Sequence, residues 1–445
     1  MLQALVGIAR HRPGGCRSCL AAARPLATAC SRLPSAPAPA VPSAPSRAPQ
    51  AESRRHVSQV TVSENRLEAF LRAELSYFSQ RQAETLKLGY IVNANTPGKV
   101  AKLVHKELPF RFAARIKHIE AFEGWEQIPE LVALRETFMT SFRELRLAEQ
   151  KNWEDPETND LAEFTQLIHS IRKRHKNIVA QLAEVMRKTH DGDDGRWGQD
   201  GALQLWVDTF LLSRISTEML TSHYVEVMQD QTSPGARVHD GGPRVGVVDK
   251  RCNPGQICEE AAAQVREQLA NSGVSINVRI HNCSSSQEAI EFSYIPRYLR
   301  YIVEELLKNS TRATLEALEA DAEPRKRPIV VTVCADVKQV AIRISDQGGG
   351  QPFGSGEKIW SYQFSTSKQQ YEDYAGGESP LSGWGMGLPL ARLYARYLGG
   401  TLGVMNMPGI GVDAYLFLSR IAPTGQVFEG DLRSSTSSID SMHMP

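Results

Sequence analysis

Apolar residues recur at intervals of three and four along the first half of the chain, from about residue 60 to residue 228. This spacing places apolar side chains on one face of an α-helix. It is clear from Leu67 to Phe78, and it returns in stretches that begin near Pro109 and Pro129 and in the runs 164–185 and 206–220. Because Pro- and Gly-containing breaks separate these stretches, the pattern predicts an up-and-down four-helix-type bundle over residues 60–228.

The pattern changes after residues 229–247, which are rich in Gln, Ser, Pro and Gly and are typical of a linker. β-Branched runs follow at 329–335 and 340–345 and are typical of strands. Further predicted elements are helices at 255–271, 296–319 and 388–398 and a closing strand at 414–419. Helices and strands in this order predict an α/β sandwich over residues 248–421, and the Ser-rich residues 422–445 are expected to be disordered.

The first 55 residues have a composition of their own, with eight arginines, no lysine and a single acidic residue, Glu52. Many of the remaining positions are Ala, Ser or Pro. This composition is typical of a mitochondrial or plastid transit peptide, and the alternative is a disordered Ala/Pro-rich tail. A secretory signal is not expected, because no continuous apolar run of suitable length follows the first basic residues.

The rest of the chain carries 43 basic and 49 acidic residues, a formal charge of −6. This mildly acidic character gives no reason to expect binding to nucleic acid. The apolar fraction of 41% and the charged fraction of 23% are those of a globular protein. No run of about eighteen apolar residues occurs, so no segment is expected to span a membrane.

One predicted helix of the second domain carries a polar face. Glu305 and Asn309 are four residues apart and therefore share a face, which Arg312 continues one turn further on. The apolar Leu306 and Leu307 are expected to face the sheet. A carboxylate, an amide and a guanidinium in this row are candidates for ligand binding, and the alternative is an ordinary solvated face.

Three glycine-containing segments accompany this helix. Asp346 ends a predicted strand and is followed by Gln and the three glycines 348–350, so the backbone can approach a ligand whose amino group, such as that of adenine, donates to the carboxylate. Glycines 383, 385 and 387 precede a predicted helix and favour an anion site. The run Gly409-Ile-Gly411 precedes the last strand. Each segment alone is equally consistent with an ordinary turn, but their order and spacing together predict a nucleotide site.

Together these segments resemble the Bergerat ATP-binding fold of gyrase, the heat-shock chaperone ATPases, the histidine kinases and the mismatch-repair ATPases. Four runs resemble more narrowly the mitochondrial pyruvate and branched-chain α-keto-acid dehydrogenase kinases. These runs are Glu107–Ala113, Ile171–His175, Phe210–Ser216 and Pro389–Gly400. The resemblance spans about residues 60–420 and keeps its motifs in order.

The resemblance implies ATP and Mg²⁺ as cofactors and assigns roles to residues. Asn309 matches the asparagine that binds the magnesium ion bridging the phosphates, and Glu305 matches the proposed general base. Asp346 matches the residue that binds adenine, beside Gly348 and Gly350. Further nucleotide contacts are implied for Lys308, Arg312, Ser365, Thr366, Gly383, Gly385, Gly387 and Leu388. Catalysis is then expected to rest on positioning and charge neutralisation.

His175 lies on an apolar stripe, so it is either a satisfied core histidine or a functional one. The family places a histidine here near the catalytic region, which implies a supporting or regulatory part and no phosphoryl acceptance. Arg172 and Arg214 match basic residues of a regulatory pocket for small keto-acid-like anions. Two guanidinium groups that face a carboxylate are a sound anion site.

The implied activity is an ATP-dependent protein serine kinase of the mitochondrial matrix that phosphorylates and inactivates the decarboxylase subunit of an α-keto-acid dehydrogenase complex. The lipoyl domain of the acyltransferase core is the implied docking partner of the helical domain, and a homodimer is implied. The sequence departs from the family at Val412, where a Thr is usual, so one water-mediated adenine contact is expected to be missing. Its tail also lacks the Asp-Trp element by which pyruvate-type members cross between subunits.

Three other functions share this ATP fold. A histidine kinase requires an acceptor His followed closely by an acidic residue, whereas His175 is followed by Lys-Asn-Ile. A chaperone-type or repair-type ATPase uses the same glutamate to activate water, but carries a transducer domain after the ATP domain. A binding protein without catalysis is disfavoured because Glu305, Asn309 and Asp346 are all present.

Overall fold

The computed structural model describes residues 63–80, 88–148, 161–191, 201–232, 244–269, 278–284, 290–320, 327–336, 338–356, 358–362 and 385–420. These residues belong to one compact unit, residues 62–445. The predicted leader 1–55, the contacts expected from Ser365, Thr366 and Gly383, and the predicted tail 422–445 lie outside the described residues.

Residues 63–232, which we call the helical region, contain only helices and their connections where they are described, as the periodicity predicts. The helices are α1 (Glu64–Gln80), α2 (Leu88–Asn93), α3 (Pro97–Glu120), α4 (Pro129–Leu147), α5 (Ala162–Arg174), α6 (Ile178–Asp191) and α7 (Ala202–Thr232). The central helix α3 packs against α1, α4 and α7. Phe112, Phe142 and Phe210 from three of these helices are fully buried in the shared core.

The structure corrects the start of the second long helix, which the sequence pattern places near Pro109. Helix α3 begins at Pro97, after the extended residue Thr96, and Pro109 lies inside it. An interior proline removes one helical hydrogen bond and costs about 3 kcal/mol. Leu108 and Phe112 on either side are completely buried. Core packing therefore maintains the helix across a residue that normally ends one.

The long apolar stripe from residue 164 to residue 185 is also not one helix. Helix α5 ends at Arg174, with His175 as its C-cap, and α6 begins at Ile178. The backbone N–H of Lys176 bonds to the Lys173 carbonyl oxygen at 3.3 Å, a turn-type contact that interrupts the helical ladder. The apolar spacing persists because both helices bury residues in the same core.

Residues 244–420, which we call the α/β region, contain two sheets. The elements are β1 (Arg244–Val245), β2 (Val248–Cys252), α8 (Pro254–Leu269), β3 (Val278–Ser284), β4 (Phe292–Tyr294), α9 (Pro296–Ala320), β5 (Ile329–Ala335), β6 (Gln339–Ser345), α10 (Gly387–Tyr397), β7 (Thr401–Met407) and β8 (Gly411–Ser419). The large sheet has the order β3-β5-β6-β8-β7, with β3 and β5 parallel and the other neighbours antiparallel. The small sheet has the order β1-β2-β4.

Helices α8, α9 and α10 pack on one face of the large sheet, which confirms the predicted α/β sandwich. Buried and exposed side chains alternate along the strands because only one face of the sheet is covered by helices. Ile342, Ile344, Leu416 and Leu418 point to the helices and are buried, whereas Phe417 on the other face is 41% exposed. Among the described residues, no helix has both the length and the apolar character needed to cross a membrane.

Helix α7 joins the two regions. It packs against α10, and the Tyr298 hydroxyl of α9 donates to the Ile215 carbonyl oxygen of α7 at 3.3 Å. The Tyr397 hydroxyl of α10 reaches the Met219 sulfur at 3.7 Å. The last helix of the helical region therefore lies directly against the two helices that carry the predicted nucleotide motifs.

Candidate nucleotide-binding and catalytic site

The polar face of α9 is not a solvated face at its centre. Glu305 is buried with 8% exposure, and its Oε1 accepts a hydrogen bond from Lys308 Nζ at 3.3 Å. One turn further on, Arg312 Nη2 donates to Asn309 Oδ1 at 3.1 Å. The helix therefore presents a buried carboxylate, an oriented amide oxygen and two cations in the order that the sequence predicts.

The N-terminus of α10 meets this carboxylate. Gly387 is the first residue of α10, and a Cβ atom there would collide with Glu305 Oε2. The first turn of a helix presents unpaired backbone N–H groups and the positive end of the helix dipole, both of which favour a negative charge. Gly387 is thus brought to Glu305, and Gly385 and Leu388 are its close neighbours in sequence, at the start of the same helix.

Asp346 follows β6 and is fixed by the backbone of two segments. Its Oδ1 accepts hydrogen bonds from the N–H of Gly348 at 3.0 Å and of Val412 at 3.1 Å. Burial raises the pKa of Asp346, while these two N–H groups and a hydrogen bond from Ser310 oppose that rise. Ser310 is the neighbour of Asn309 on α9, so the Asp346 turn and the polar helix face form one site.

The glycines of this turn allow it to approach α9. A Cβ on Gly348 would lie 2.6 Å from the Cβ of Ala313, which is one turn beyond Asn309. A Cβ on Gly350 would lie 2.5 Å from the Met407 carbonyl oxygen. Both positions are too tight for a side chain, so the turn can lie against the helix and against β7 only with glycine.

His175 is half-buried at the edge of the core of the helical region. Its Nε2 is 2.9 Å from Ser141 Oγ, and its ring packs edge-on against Phe112 and Phe138 with centroid distances of 5.3 and 4.9 Å. Burial, followed by the charges of Arg174 and Arg214, lowers the pKa of His175 to about 3. The imidazole is therefore neutral near pH 7. This placement favours the core-histidine interpretation and leaves a supporting role open through Arg214.

The two arginines of the predicted anion pocket lie on different helices, Arg172 on α5 and Arg214 on α7, in different surroundings. Arg172 Nη1 donates to Ser222 Oγ at 2.6 Å, and Ser222 in turn donates to Glu218 at 3.0 Å. Glu218 also pairs with Arg297 at 3.0 Å, so a carboxylate of the protein already lies beside Arg172. Arg214 instead hydrogen-bonds to Tyr394 of α10 and lies near His175. Whether the two arginines bind one anion stays a prediction.

Sequence reasoning did not identify Tyr301, which lies one turn before Glu305 on α9. Its hydroxyl is buried and has no hydrogen-bond partner among the described residues. Its ring packs on Tyr394 with a centroid distance of 5.0 Å, and the charge of Glu305 adds to burial in raising the pKa of Tyr301. The sequence feature that could have identified Tyr301 is its spacing of four residues from Glu305, which places both side chains on one face of the helix.

Two family models match the chain. One, described as mitochondrial branched-chain alpha-ketoacid dehydrogenase kinase, matches residues 74–249, and the other, described as histidine kinase-, DNA gyrase B- and HSP90-like ATPase, matches residues 294–421. The catalytic domain of the histidine kinase ThkA is similar over 38% of this chain and 94% of its own, but the 16% identity and the TM-score of 0.28 are too low to support a conclusion.

Curated relatives match across both regions, and they include three mitochondrial [pyruvate dehydrogenase (acetyl-transferring)] kinases. The Arabidopsis thaliana enzyme is 31% identical over 328 residues, 72% of this chain and 84% of that protein. Human isozyme 3 is 30% identical, covering 72% of this chain and 77% of its own, and mouse isozyme 4 is 27% identical, covering 78% and 84%. These matches confirm the resemblance found in the motifs: the chain belongs to the mitochondrial α-keto-acid dehydrogenase kinase family, protein kinases with a histidine-kinase-type ATP-binding domain.

Proposed function

We propose that this chain is a Mg²⁺-dependent protein serine kinase that phosphorylates and inactivates the decarboxylase subunit of a mitochondrial α-keto-acid dehydrogenase complex, either the pyruvate or the branched-chain complex. One observation carries the proposal. The buried Glu305 carboxylate lies at the N-terminus of α10, one helical turn from the Asn309 amide. A proton acceptor, a ligand for a hard cation and a helix N-terminus that favours phosphate thus occupy one site.

Glu305 acts as the general base of the transfer. The substrate serine gives its hydroxyl proton to the carboxylate as its oxygen bonds to the γ-phosphorus, and the bond from that phosphorus to the bridging oxygen of ADP breaks. General-base catalysis contributes roughly 10²–10⁴-fold. Lys308, which donates to Glu305 Oε1 at 3.3 Å, and Gly387 leave the carboxylate little freedom of orientation.

The residues fit a magnesium ion that is held mainly by the nucleotide. Among the described residues there is no group of three His, Cys, Asp or Glu side chains able to hold a metal. Mg²⁺ in kinases is bound by one or two protein oxygens together with substrate phosphates and water, and Asn309 Oδ1 is such an oxygen. When bound, the ion neutralises phosphate charge. Arg312, which donates to Asn309 Oδ1 at 3.1 Å, orients this ligand.

The Asp346 carboxylate accepts a hydrogen bond from the exocyclic amine of adenine. The orientation of this carboxylate does not depend on the presence of Val instead of Thr at residue 412. The hydrogen bond from residue 412 to Asp346 Oδ1 comes from the backbone N–H, which any residue except proline supplies. The Thr-to-Val change therefore removes a side-chain hydroxyl and leaves the carboxylate fixed. Gly348 and Gly350 keep the turn close to α9 and β7.

The histidine-kinase alternative is less well supported. A phosphoryl acceptor must present a ring nitrogen to the γ-phosphate of ATP. His175 Nε2 is engaged with Ser141, and the ring is packed against Phe112 and Phe138 inside the helical region. Transfer to His175 would require this packing to open.

The remaining assignments follow the same family relationship. Residues 60–228 form the regulatory and partner-binding domain, whose docking partner is the lipoyl domain of the acyltransferase core, and residues 248–421 form the kinase domain. Residues 1–55 direct the chain to the mitochondrial matrix. The sheet face away from the helices supports a homodimer, since Phe417 and Met405 are 41% and 55% exposed there and the Tyr415 and Phe417 rings stack at 6.4 Å.

A single assay tests the proposal. The purified kinase is incubated with radiolabelled ATP and with the decarboxylase subunits of the pyruvate and branched-chain complexes in parallel reactions. We expect acid-stable label on serine of one subunit, together with loss of decarboxylase activity. Asn309→Ala is expected to abolish labelling because the metal ligand is lost. Label on neither subunit, or acid-labile label on the kinase itself, would refute the proposal.

A further inference from the structure

The Glu218 carboxylate of α7 is held at both of its oxygens. Its Oε1 accepts a hydrogen bond from Ser222 Oγ at 3.0 Å and lies 3.0 Å from Arg297 Nη2, on α9. Its Oε2 lies 3.3 Å from the Tyr298 hydroxyl, also on α9, which donates toward this oxygen and toward the Ile215 carbonyl oxygen at the same distance. A cation and hydroxyl donors around both oxygens are the surroundings of a bound carboxylate ligand.

Arg172 of α5 adds a second cation to this group. Its Nη1 donates to Ser222 Oγ at 2.6 Å, so the Ser222 hydroxyl accepts from Arg172 and gives its own proton to Glu218. Burial lowers the pKa of Arg172, and the charge of Glu218 opposes this effect. One carboxylate of the chain thus serves two guanidinium groups from different helices. We call this group the Glu218 site; its donors are Arg172, Ser222, Arg297 and Tyr298.

We propose that the Glu218 site is a carboxylate-binding site whose occupant is supplied by the chain itself, so that free small carboxylates such as acetate and pyruvate are excluded from it. The side chains of Glu218 and Arg297 are 27% and 45% exposed, so solvent and small solutes reach the site. The proposal differs from the free anion that the family resemblance implies between Arg172 and Arg214. Arg214 hydrogen-bonds to Tyr394 instead.

A carboxylate that is tethered at a site competes strongly with a free one. The effective concentration of a tethered ligand is about millimolar for a short flexible linker. A side chain on a helix is already oriented, so it loses less entropy on binding than a free anion does. A free carboxylate would also leave the displaced Glu218 charge beside it, and like charges repel. Millimolar concentrations of small carboxylates are therefore expected to leave the wild-type site filled by Glu218.

Replacement of Glu218 by Ala vacates the site and leaves the Arg297 guanidinium without its partner at 3.0 Å. A small carboxylate added to this variant can accept from the same donors. Glu218→Gln is the isosteric comparison, because its neutral amide keeps the space filled. Glu226→Ala is the matched control: the charge of Glu226 also acts on Arg172, but its carboxylate pairs with Arg244 at 2.7 Å.

Binding of acetate, of pyruvate and of the neutral analogue acetamide to the full-length wild-type chain and these three variants is measured by calorimetry. We expect Glu218→Ala to bind both carboxylates at least about tenfold more tightly than the wild type, Glu218→Gln and Glu226→Ala do. Its melting temperature is expected to lie below that of the wild type and to be partly restored by acetate but not by acetamide, because only the anion replaces the lost charge.

Two outcomes in the variants would overturn the inference: no gain of carboxylate affinity in Glu218→Ala, or an equal gain in Glu226→Ala. Saturable binding of acetate or pyruvate to the wild type that is lost in Arg172→Met would also overturn it, because the site would then be open to free anions. This last comparison carries the test if Glu218→Ala does not fold. All binding is measured without ATP or a protein substrate, so failure of the proposed kinase function would leave these results unaffected.

Discussion

Glu305 and Gly387 are in direct contact, and the contact leaves no room for a side chain at residue 387. Glu305 belongs to α9 and Gly387 begins α10, so the position of the candidate base is set where these two helices meet. The end of α9 and the start of α10 are 67 residues apart in sequence. A carboxylate at a helix N-terminus is stabilised by roughly 0.3–1 kcal/mol or more when partly buried. The junction therefore fixes the place of this group.

Gly387→Ala is expected to reduce turnover at least tenfold while the protein remains folded. The atom that a Cβ would meet is at the end of the Glu305 side chain, so the added methyl group displaces the carboxylate from the orientation that Lys308 supports and leaves the backbone unstrained. Steady-state kinetics and a thermal melt measure the two effects. Gly403→Ala is the control, because a Cβ there meets nothing within 4 Å. Equal activity of both variants would show that the carboxylate position is unimportant.

His175→Gln is expected to make the protein less sensitive to acid. Burial lowers the pKa of His175 from 6.5 to about 3, so protons bind more tightly to the unfolded chain. The stability that depends on neutral His175 is therefore complete above about pH 6.5 and is lost as the pH falls toward 3. At about pH 5 the loss is about 2 kcal/mol.

Urea unfolding at about pH 7.5 and pH 5 measures this difference. Burial also lowers the pKa values of His118 and His223, each to about 4, but both residues are present in either protein. Subtracting the pH dependence of the variant from that of the wild type thus isolates His175. An identical pH dependence of stability in the two proteins would contradict its assignment as a neutral, largely desolvated group.

Replacement of Arg115 by Met and replacement of Arg111 by Met are expected to change the free energy of unfolding in opposite directions. Arg115 is buried, its Nη1 has no hydrogen-bond partner among the described residues, and burial lowers the pKa of Arg115 to about 9. Among the described residues, the guanidinium contacts the Phe210 ring at 4.2 Å and the Thr209 carbonyl oxygen at 3.5 Å. Removing an uncompensated buried charge is expected to stabilise the fold by about 1–3 kcal/mol.

Arg111, one turn earlier on α3, is the matched comparison. Its Nη1 pairs with Glu107 Oε2 at 2.6 Å, and both side chains are almost completely buried. Arg111→Met leaves the Glu107 carboxylate without this partner and is expected to destabilise the protein by about 3–5 kcal/mol. Chemical denaturation of both variants gives the two free energies of unfolding. Destabilisation of similar size at both positions would mean that Arg115 has a counter-charge in solution.

The sequence predicts the order of the helices, the strands β5, β6 and β8 and the motifs on α9. It does so because the periodicity of apolar residues indicates which side chains are buried. The exceptions have local causes. Pro109 normally ends a helix, but the core on both sides of it keeps α3 continuous. The break at His175 leaves the apolar spacing intact, so periodicity alone does not detect it. Strand β7 contains Gly403 and exposes much of its length at the sheet edge, which weakens the strand pattern.

The site was predictable where residues share one element and not where it depends on pairs distant in sequence. Glu305 and Asn309 are four residues apart, and helical spacing places them on one face. Tyr298 and Glu218 are 80 residues apart, and nothing in the local pattern of either residue indicates the other. The same holds for Glu305 and Gly387, whose contact arises only after α10 packs on α9.

The most direct test of the account is the rate of phosphoryl transfer to serine by Glu305→Gln, compared with Glu304→Gln. The two substitutions are isosteric and adjacent on α9, and the charge of Glu304 acts on both Lys308 and Glu305, so this variant controls for the loss of a neighbouring carboxylate that is not the base. We expect Glu305→Gln to lower turnover by roughly 10²–10⁴-fold, with Mg·ATP affinity changed little, because the amide cannot take the hydroxyl proton. We expect Glu304→Gln to remain close to wild type. Wild-type turnover in Glu305→Gln, or an acid-labile label that disappears with His175→Gln, would contradict the assignment of Glu305 as the base of a serine kinase.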